Sequence, residues 1–141
     1  EPVRGQMLLL KFPQRPFVPL LEAGSRYLVP RLDGHLLIGS TEERVGFEKR
    51  NTPEGIEGLR QFAGSLIPSL QELPVLRSWS GLRPYSADGI PRIGRVPAVQ
   101  GLFVATGHFR AGLSLSPATA LMIRDLLGAA VNERPASGPQ S

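Results

Sequence analysis

Leu102-Phe103-Val104-Ala105-Thr106-Gly107-His108-Phe109-Arg110-Ala111-Gly112 is the stretch that decides how this chain is read. Residues 102 to 106 form a short apolar strand, and residues 107 to 112 a loop bracketed by glycines. A helix is predicted to start between Leu113 and Pro117 and to run to about Val131. Ala118, Leu121, Met122, Ile123, Leu126 and Leu127 make it apolar on most sides, which predicts a largely buried helix. A strand feeding such a loop and helix aims backbone N–H groups, and the positive end of the helix dipole, at the mouth of the loop. That mouth suits an anion or a developing negative charge. An ordinary tight strand-to-helix connection has the same topology and needs no ligand.

The glycines of this unit are not a dinucleotide fingerprint. Gly107, Gly112 and Gly128 do not make G-x-G-x-x-G, and no acidic residue follows on a second strand. A phosphate-binding loop of the G-x-x-x-x-G-K-[ST] kind is also missing. The chain therefore has no evident means of holding the pyrophosphate of a large cofactor.

Upstream, the chain breaks into short elements. Gly 16 and Pro 14 among 141 residues suit many turns. Met7 to Phe12 reads as a buried strand, and Pro13 to Pro19 as a proline-broken loop. Tyr27 to Arg31 and His35 to Ser40 flank Leu32-Asp33-Gly34. Asp-Gly between two apolar runs marks a β-hairpin, because both residues tolerate positive φ. Asn51-Thr52-Pro53-Glu54 starts a helix, a polar cap followed by proline at the first helical position. Ile56, Leu59, Ala63, Leu66, Ile67 and Leu70 line one face of it, and Pro68 ends or kinks it. Val75 to Leu82 reads as a strand, Arg83 to Gly89 as a loop, and Pro91 to Gly94 as an extended piece. Asn132 to Ser141 is polar and reads as a disordered tail.

Composition bounds the rest. One domain's worth of chain, 41% hydrophobic and 20% charged, is globular. No run approaches the roughly 20 apolar residues of a membrane span, and the first residues do not read as a signal peptide. Zero cysteines remove disulfides and thiolate chemistry and fit a cytoplasmic setting. The 16 basic residues outnumber the 12 acidic ones, but only Lys11 and Lys49 are lysines and the arginines are scattered. That scatter argues against a nucleic-acid partner. His35, Glu42 and Glu43 form no metal cluster or acid/base pair, so no metal is expected.

Taken singly, the polar candidates have plain readings. Arg83 ends a strand before a proline and can fork onto a carboxylate, or simply face solvent or pair with an acid. Tyr27 can donate to a ligand or be a half-buried strand tyrosine. His108 can face a ligand or the backbone. Ser114 and Ser116, beside the helix start, read as capping residues.

Their order is more telling. Arg4-Gly5-Gln6-Met7-Leu8, Arg26-Tyr27-Leu28-Val29-Pro30, Leu37-Ile38-Gly39-Ser40-Thr41, Gly81-Leu82-Arg83-Pro84, Asp88-Gly89-Ile90-Pro91, Ile93-Gly94 and Ala105-Thr106-Gly107-His108-Phe109-Arg110 run in sequence. That succession resembles the FAD-dependent amine oxidoreductases of the D-amino-acid-oxidase-like family, nearest the thiamine-pathway glycine oxidase branch. The resemblance covers nearly all of residues 3 to 130.

The resemblance implies an α+β fold. A mixed, mainly antiparallel sheet of the substrate-binding domain would occupy residues 1–101, with flanking helices. Residues 102–131 would be the last strand, loop and helix of the FAD-binding domain. It implies the C-terminal portion of a longer enzyme, inactive alone, with FAD in the complete protein. The implied reaction is oxidative deamination of glycine or another small amino acid or amine, with hydride passing to the flavin and peroxide formed. The flavin carries the difficult step, so no side chain is assigned as catalytic. Arg83, Tyr27 and Arg110 would bind the substrate. Gly107, His108, Phe109, Arg110, Ala111, Gly112 and Leu113 would contact the cofactor, their amides facing its electron-accepting end. Ala111 departs from the polar residue the glycine oxidase branch often carries after the arginine. An incomplete sheet implies a homo-oligomer, or pairing with the missing N-terminal part. The competing expectation is a non-catalytic assembly module that keeps the sheet without the cofactor.

Overall fold

The first strand, β1 (Pro2–Lys11), starts well before the apolar run Met7–Phe12. Its early residues are polar yet buried, Arg4 and Gln6 among them. Their backbone is paid for by partners beyond the hairpin: Arg4 N–H donates to Glu43 O at 2.8 Å, and Glu43 N–H donates to Arg4 O at 2.9 Å. This is why hydrophobicity alone places the start of β1 too late. The structure, a computed structural model, describes residues 1–12 and 19–132. The expected proline-broken loop and the expected tail lie almost wholly outside the described residues.

A three-residue strand, β2 (Leu21–Ala23), turns through Gly24 into β3 (Arg26–Pro30). The hairpin expected at Asp33-Gly34 joins β3 to β4 (His35–Gly39), with Gly34 at φ +78°. Its register pairs Tyr27 with Gly39 and Val29 with Leu37. Helix α1 (Pro53–Leu66) begins as its sequence predicts: the Thr52 side chain accepts from Gly55 N–H, with proline in the first turn. Pro68 ends it, and a short 3-10 turn, Pro68–Glu72, leads to β5 (Val75–Pro84). Then come β6 (Arg92–Arg95), β7 (Phe103–Thr106) and α2 (Gly112–Asn132).

The chain divides into two compact units, Pro2–Arg83, and Glu1 with the chain from Pro84 on. In the first, five strands lie in the order β2-β3-β4-β1-β5. Strand pleating sends Leu8, Leu10, Leu28, Leu36 and Ile38 to one face, where they pack with Leu59 and Ala63 of α1 and with Leu70. Met7, Leu9, Tyr27, Val29 and Leu37 therefore point to the opposite face, where they are half-buried. Leu66, expected on the packed side of α1, is 42% exposed.

In the second unit β6 and β7 pair antiparallel, Arg92 opposite Thr106 and Arg95 opposite Phe103. Tyr85 and His108 form a further antiparallel bridge. Residues 85–101 thus bond with the strand and loop that follow them. Helix α2 starts at Gly112, ahead of the Leu113–Pro117 window. It is not largely buried. Past its first residue, the stripe Thr119, Ile123, Leu126 and Ala130 is half-covered, while Leu113, Leu121, Met122 and Leu127 are exposed. A two-stranded sheet is wide enough to cover one stripe. Partners for the other apolar sides are absent among the described residues. No helix there is long and apolar enough to cross a membrane.

A buried polar lattice ties β1 to the segment after β4. The Arg4 guanidinium, 4% exposed, pairs with Glu43, and its Nη1 donates to Glu48 O at 3.3 Å. Gln6 N–H donates to Thr41 Oγ1 at 2.8 Å, and Gln6 Nε2 donates to Glu43 Oε1 at 2.8 Å and to Thr52 Oγ1 at 3.1 Å. Burial pushes the Glu43 carboxyl up; hydrogen bonds from Thr41, Arg4 and Gln6, with the Arg4 charge, outweigh it and hold the group below its ordinary value. A carboxyl depressed on folding stabilises fully above its unfolded value and loses that contribution as pH falls through the folded one. The thermal midpoint should therefore fall below about pH 4.3, and Glu43→Gln should flatten that dependence. Arg4→Met should cost about 2–4 kcal/mol at neutral pH by urea unfolding, because Glu43 keeps a partly buried, unpaired charge.

Candidate functional site

Two side chains expected to bind substrate, Arg83 and Tyr27, come to the same face of the five-stranded sheet. Gln6 points toward α1, so Gly5 must point away from it. The Arg83 guanidinium lies directly on Gly5: a Cβ placed there would sit 2.3 Å from Nη1 and Nη2 and 2.4 Å from Cζ. Arg83 Nη2 donates to Ser40 Oγ at 2.6 Å, and Nη1 donates to Thr41 O at 3.2 Å. Ile38 is in the core, so Gly39 faces the same way as Gly5. The Tyr27 ring covers it, with Cζ 2.5 Å and Oη 2.6 Å from where a Cβ would be. Met7 pairs with Gly39 across β1 and β4, which makes Gly5 and Gly39 diagonal neighbours. Such positions are roughly 7–8 Å apart.

Two large polar side chains are thus seated on two glycines, on the sheet face that Met7, Leu9, Val29 and Leu37 share. A planar cationic fork and a phenol at that spacing can grip one small anion between them. Ser40 and Thr41 also line a polar cleft of about 400 Å³, with Ser25, Arg26, Glu42 and Glu54 on its other walls. Sequence reasoning singled out neither Gly5, Gly39, Ser40 nor Thr41 for a role. The available signal was a glycine inside one well-formed strand and a glycine closing another, each of which marks a close approach by another group.

The second unit holds the glycine loop. Gly107 is buried at φ +85° and admits no side chain, since a Cβ would lie 2.2 Å from Ser86 Oγ. Phe109 is the one described non-glycine residue at positive φ, +49°. Its N–H donates to Pro84 O at 2.9 Å, and its ring meets Tyr85 edge-on with centroids 5.2 Å apart. These two contacts hold a backbone conformation that phenylalanine disfavours. The His108 ring is turned to α2, with Nε2 2.9 Å from Thr119 Oγ1. Ala111 N–H donates to His108 O at 2.9 Å. Arg110 is exposed.

The first bond of α2 is Leu115 N–H to Ala111 O, 2.9 Å. Helix geometry leaves the earlier amides of Gly112, Leu113 and Ser114 directed out of the helix start. Ser116 does not cap them; its hydroxyl donates back to Leu113 O at 2.7 Å. Phe109 N–H is thus taken by Pro84 O and Ala111 N–H by His108 O, while the amides of 112–114 are the ones the helix start directs outward. Among the described residues, no cluster could hold a metal ion.

Residues 1–126 match the family described as FAD dependent oxidoreductase, DAO. The chain belongs to that family. It is 45% identical over 127 residues to the glycine oxidase of Pseudomonas putida, covering 90% of this chain and 35% of that protein. Against the crystal structure of glycine oxidase from Geobacillus kaustophilus it superposes with a TM-score of 0.79 at 35% identity, covering 96% of this chain and 36% of that one. Iminodiacetate oxidase from Chelativorans superposes with a TM-score of 0.81 at 26% identity, covering 98% and 37%. The chain thus spans about a third of the length of these relatives.

What the chain offers a flavin is consistent in kind. A tight loop and three outward helix-start amides suit an electron-rich ring edge, whereas no segment among the described residues has the spacing to hold a pyrophosphate. The loop depends on Gly107. Gly107→Ala combines a positive φ with a clash and should cost about 2 kcal/mol or more in urea unfolding. Adding Ser86→Gly should recover the clash part and leave the φ part.

Proposed function

We propose that this chain supplies the substrate-anchoring sheet and the flavin-edge loop of an FAD-dependent oxidase acting on a small amino acid or amine, glycine foremost. The single observation behind this is the pairing of Arg83 and Tyr27 on one sheet face over adjacent glycine seats, in a chain of this family. In the proposal residues 1–101 belong to substrate binding and residues 102–131 to the FAD-binding part.

Arg83 takes the substrate carboxylate in two parallel charge-assisted bonds. Tyr27 donates its hydroxyl to the same carboxylate, which fixes the anion in the plane of the fork. Arg110 is the third substrate-binding residue. The apolar side chains that share this face, Met7, Leu9, Val29 and Leu37, limit water around the anion and strengthen the pairing. Residues Gly107 to Leu113 hold the flavin edge, the amides of Gly112 and Leu113 and the helix dipole offsetting negative charge there. FAD, when bound, supplies the electron sink for oxidation at the substrate's α-carbon. The protein's own work is to bind, orient and desolvate.

Arg83→Ala in the full-length enzyme should lower kcat/KM for glycine by on the order of 3–5 kcal/mol, about two to four orders of magnitude. Steady-state oxygen uptake with glycine and sarcosine measures it, and a loss under about threefold would remove Arg83 from the anchor. A preparation with no flavin absorption and no turnover would favour the non-catalytic assembly reading instead.

A further inference from the structure

We propose that Gly5 and Ser40 are positioning residues that fix the plane of the Arg83 guanidinium, an inference that rests on the reading of Arg83 as the carboxylate anchor. Glycine inside a buried strand is locally unfavourable, since it loses more backbone freedom than any other residue and packs nothing. Gly5 has no left-handed backbone to excuse it. The space above it is taken instead by the guanidinium, whose three nearest atoms would lie 2.3–2.4 Å from a Cβ. An ordinary contact begins about 1 Å further out, so any side chain at 5 must displace Arg83 by about that much.

The strand cannot yield in compensation. Arg4 and Gln6, on either side of Gly5, are buried; their side chains bond on the opposite face to Glu43 and Thr52, and Gln6 N–H donates to Thr41 Oγ1. On the upper face, Ser40 Oγ and Thr41 O take one nitrogen each of the fork. Ser40 is itself 2% exposed, so its hydroxyl is held in place. A flat surface beneath and two fixed acceptors at one edge leave the guanidinium one plane. Bidentate recognition of a carboxylate depends on that plane, and a displacement of about 1 Å in a positioned group costs up to roughly a hundredfold.

The test is a double-mutant cycle in the full-length, flavin-loaded enzyme. Gly5→Ala, Ser40→Ala, Arg83→Ala and both doubles with Arg83→Ala are compared for KM and kcat with glycine. The Ki of acetate, a carboxylate with nothing to oxidise, is measured alongside. Gly5→Ala should raise KM and the acetate Ki together by roughly tenfold or more with kcat within about threefold, the mark of lost binding rather than lost chemistry. Ser40→Ala should do the same to a smaller degree. Neither should add to the effect of Arg83→Ala, because the group they position is gone. If Gly5→Ala does not fold, Ser40→Ala carries the test. Near-normal KM and Ki in the folded variants, beside a severe Arg83→Ala, would overturn the positioning role and leave the anchor intact. Additive effects in the doubles would overturn it equally. An Arg83→Ala enzyme with unchanged KM and Ki would overturn the anchor itself.

Discussion

A guanidinium lying flat on a glycine is the contact on which this site depends. It works only because the strand beneath is gripped from the other side. Gln6 buries its amide under the start of α1, where Thr52 answers it, and Arg4 buries its guanidinium against Glu43. The strand is thereby fixed in height and register at Gly5, between them. A buried ion pair is a poor source of net stability, since desolvation offsets much of its attraction. Its value here is geometric: it settles which face each residue of β1 presents, and hence where Arg83 comes to rest.

The same logic runs through the second unit. Gly107 leaves room for Ser86, and Phe109 accepts an unfavourable φ because Pro84 and Tyr85 hold it. The outcome is a tight turn that delivers the start of α2 with its first amides pointing outward. In both units small residues are placed where a larger group, or the backbone itself, must come close.

The elements with strong local chemistry were legible in the sequence. Asp33-Gly34 declares its hairpin and Thr52-Pro53 its helix start, because turn and cap geometry depend on the residues themselves. Strand β2 was missed because three residues carry no period. The early half of β1 was missed because Arg4 and Gln6 look solvent-facing until their partners more than thirty residues away are known. The exposure of α2 was misread for a related reason. Apolarity tells what a helix is able to bury, and only the tertiary structure tells what lies against it. Arg83 and Tyr27 were legible as candidates through motif order. Their seats on Gly5 and Gly39, and the Ser40 and Thr41 bonds, depend on pairing across strands that no local pattern encodes.

The most direct measurement is a crystal structure of the flavin-loaded, full-length protein with acetate bound at saturating concentration. The acetate oxygens are expected on the Arg83 guanidinium, with the Tyr27 hydroxyl donating to the same carboxylate and the guanidinium still flat on Gly5. Acetate bound elsewhere in the active site, with Arg83 making no contact to it, would contradict the account at its root.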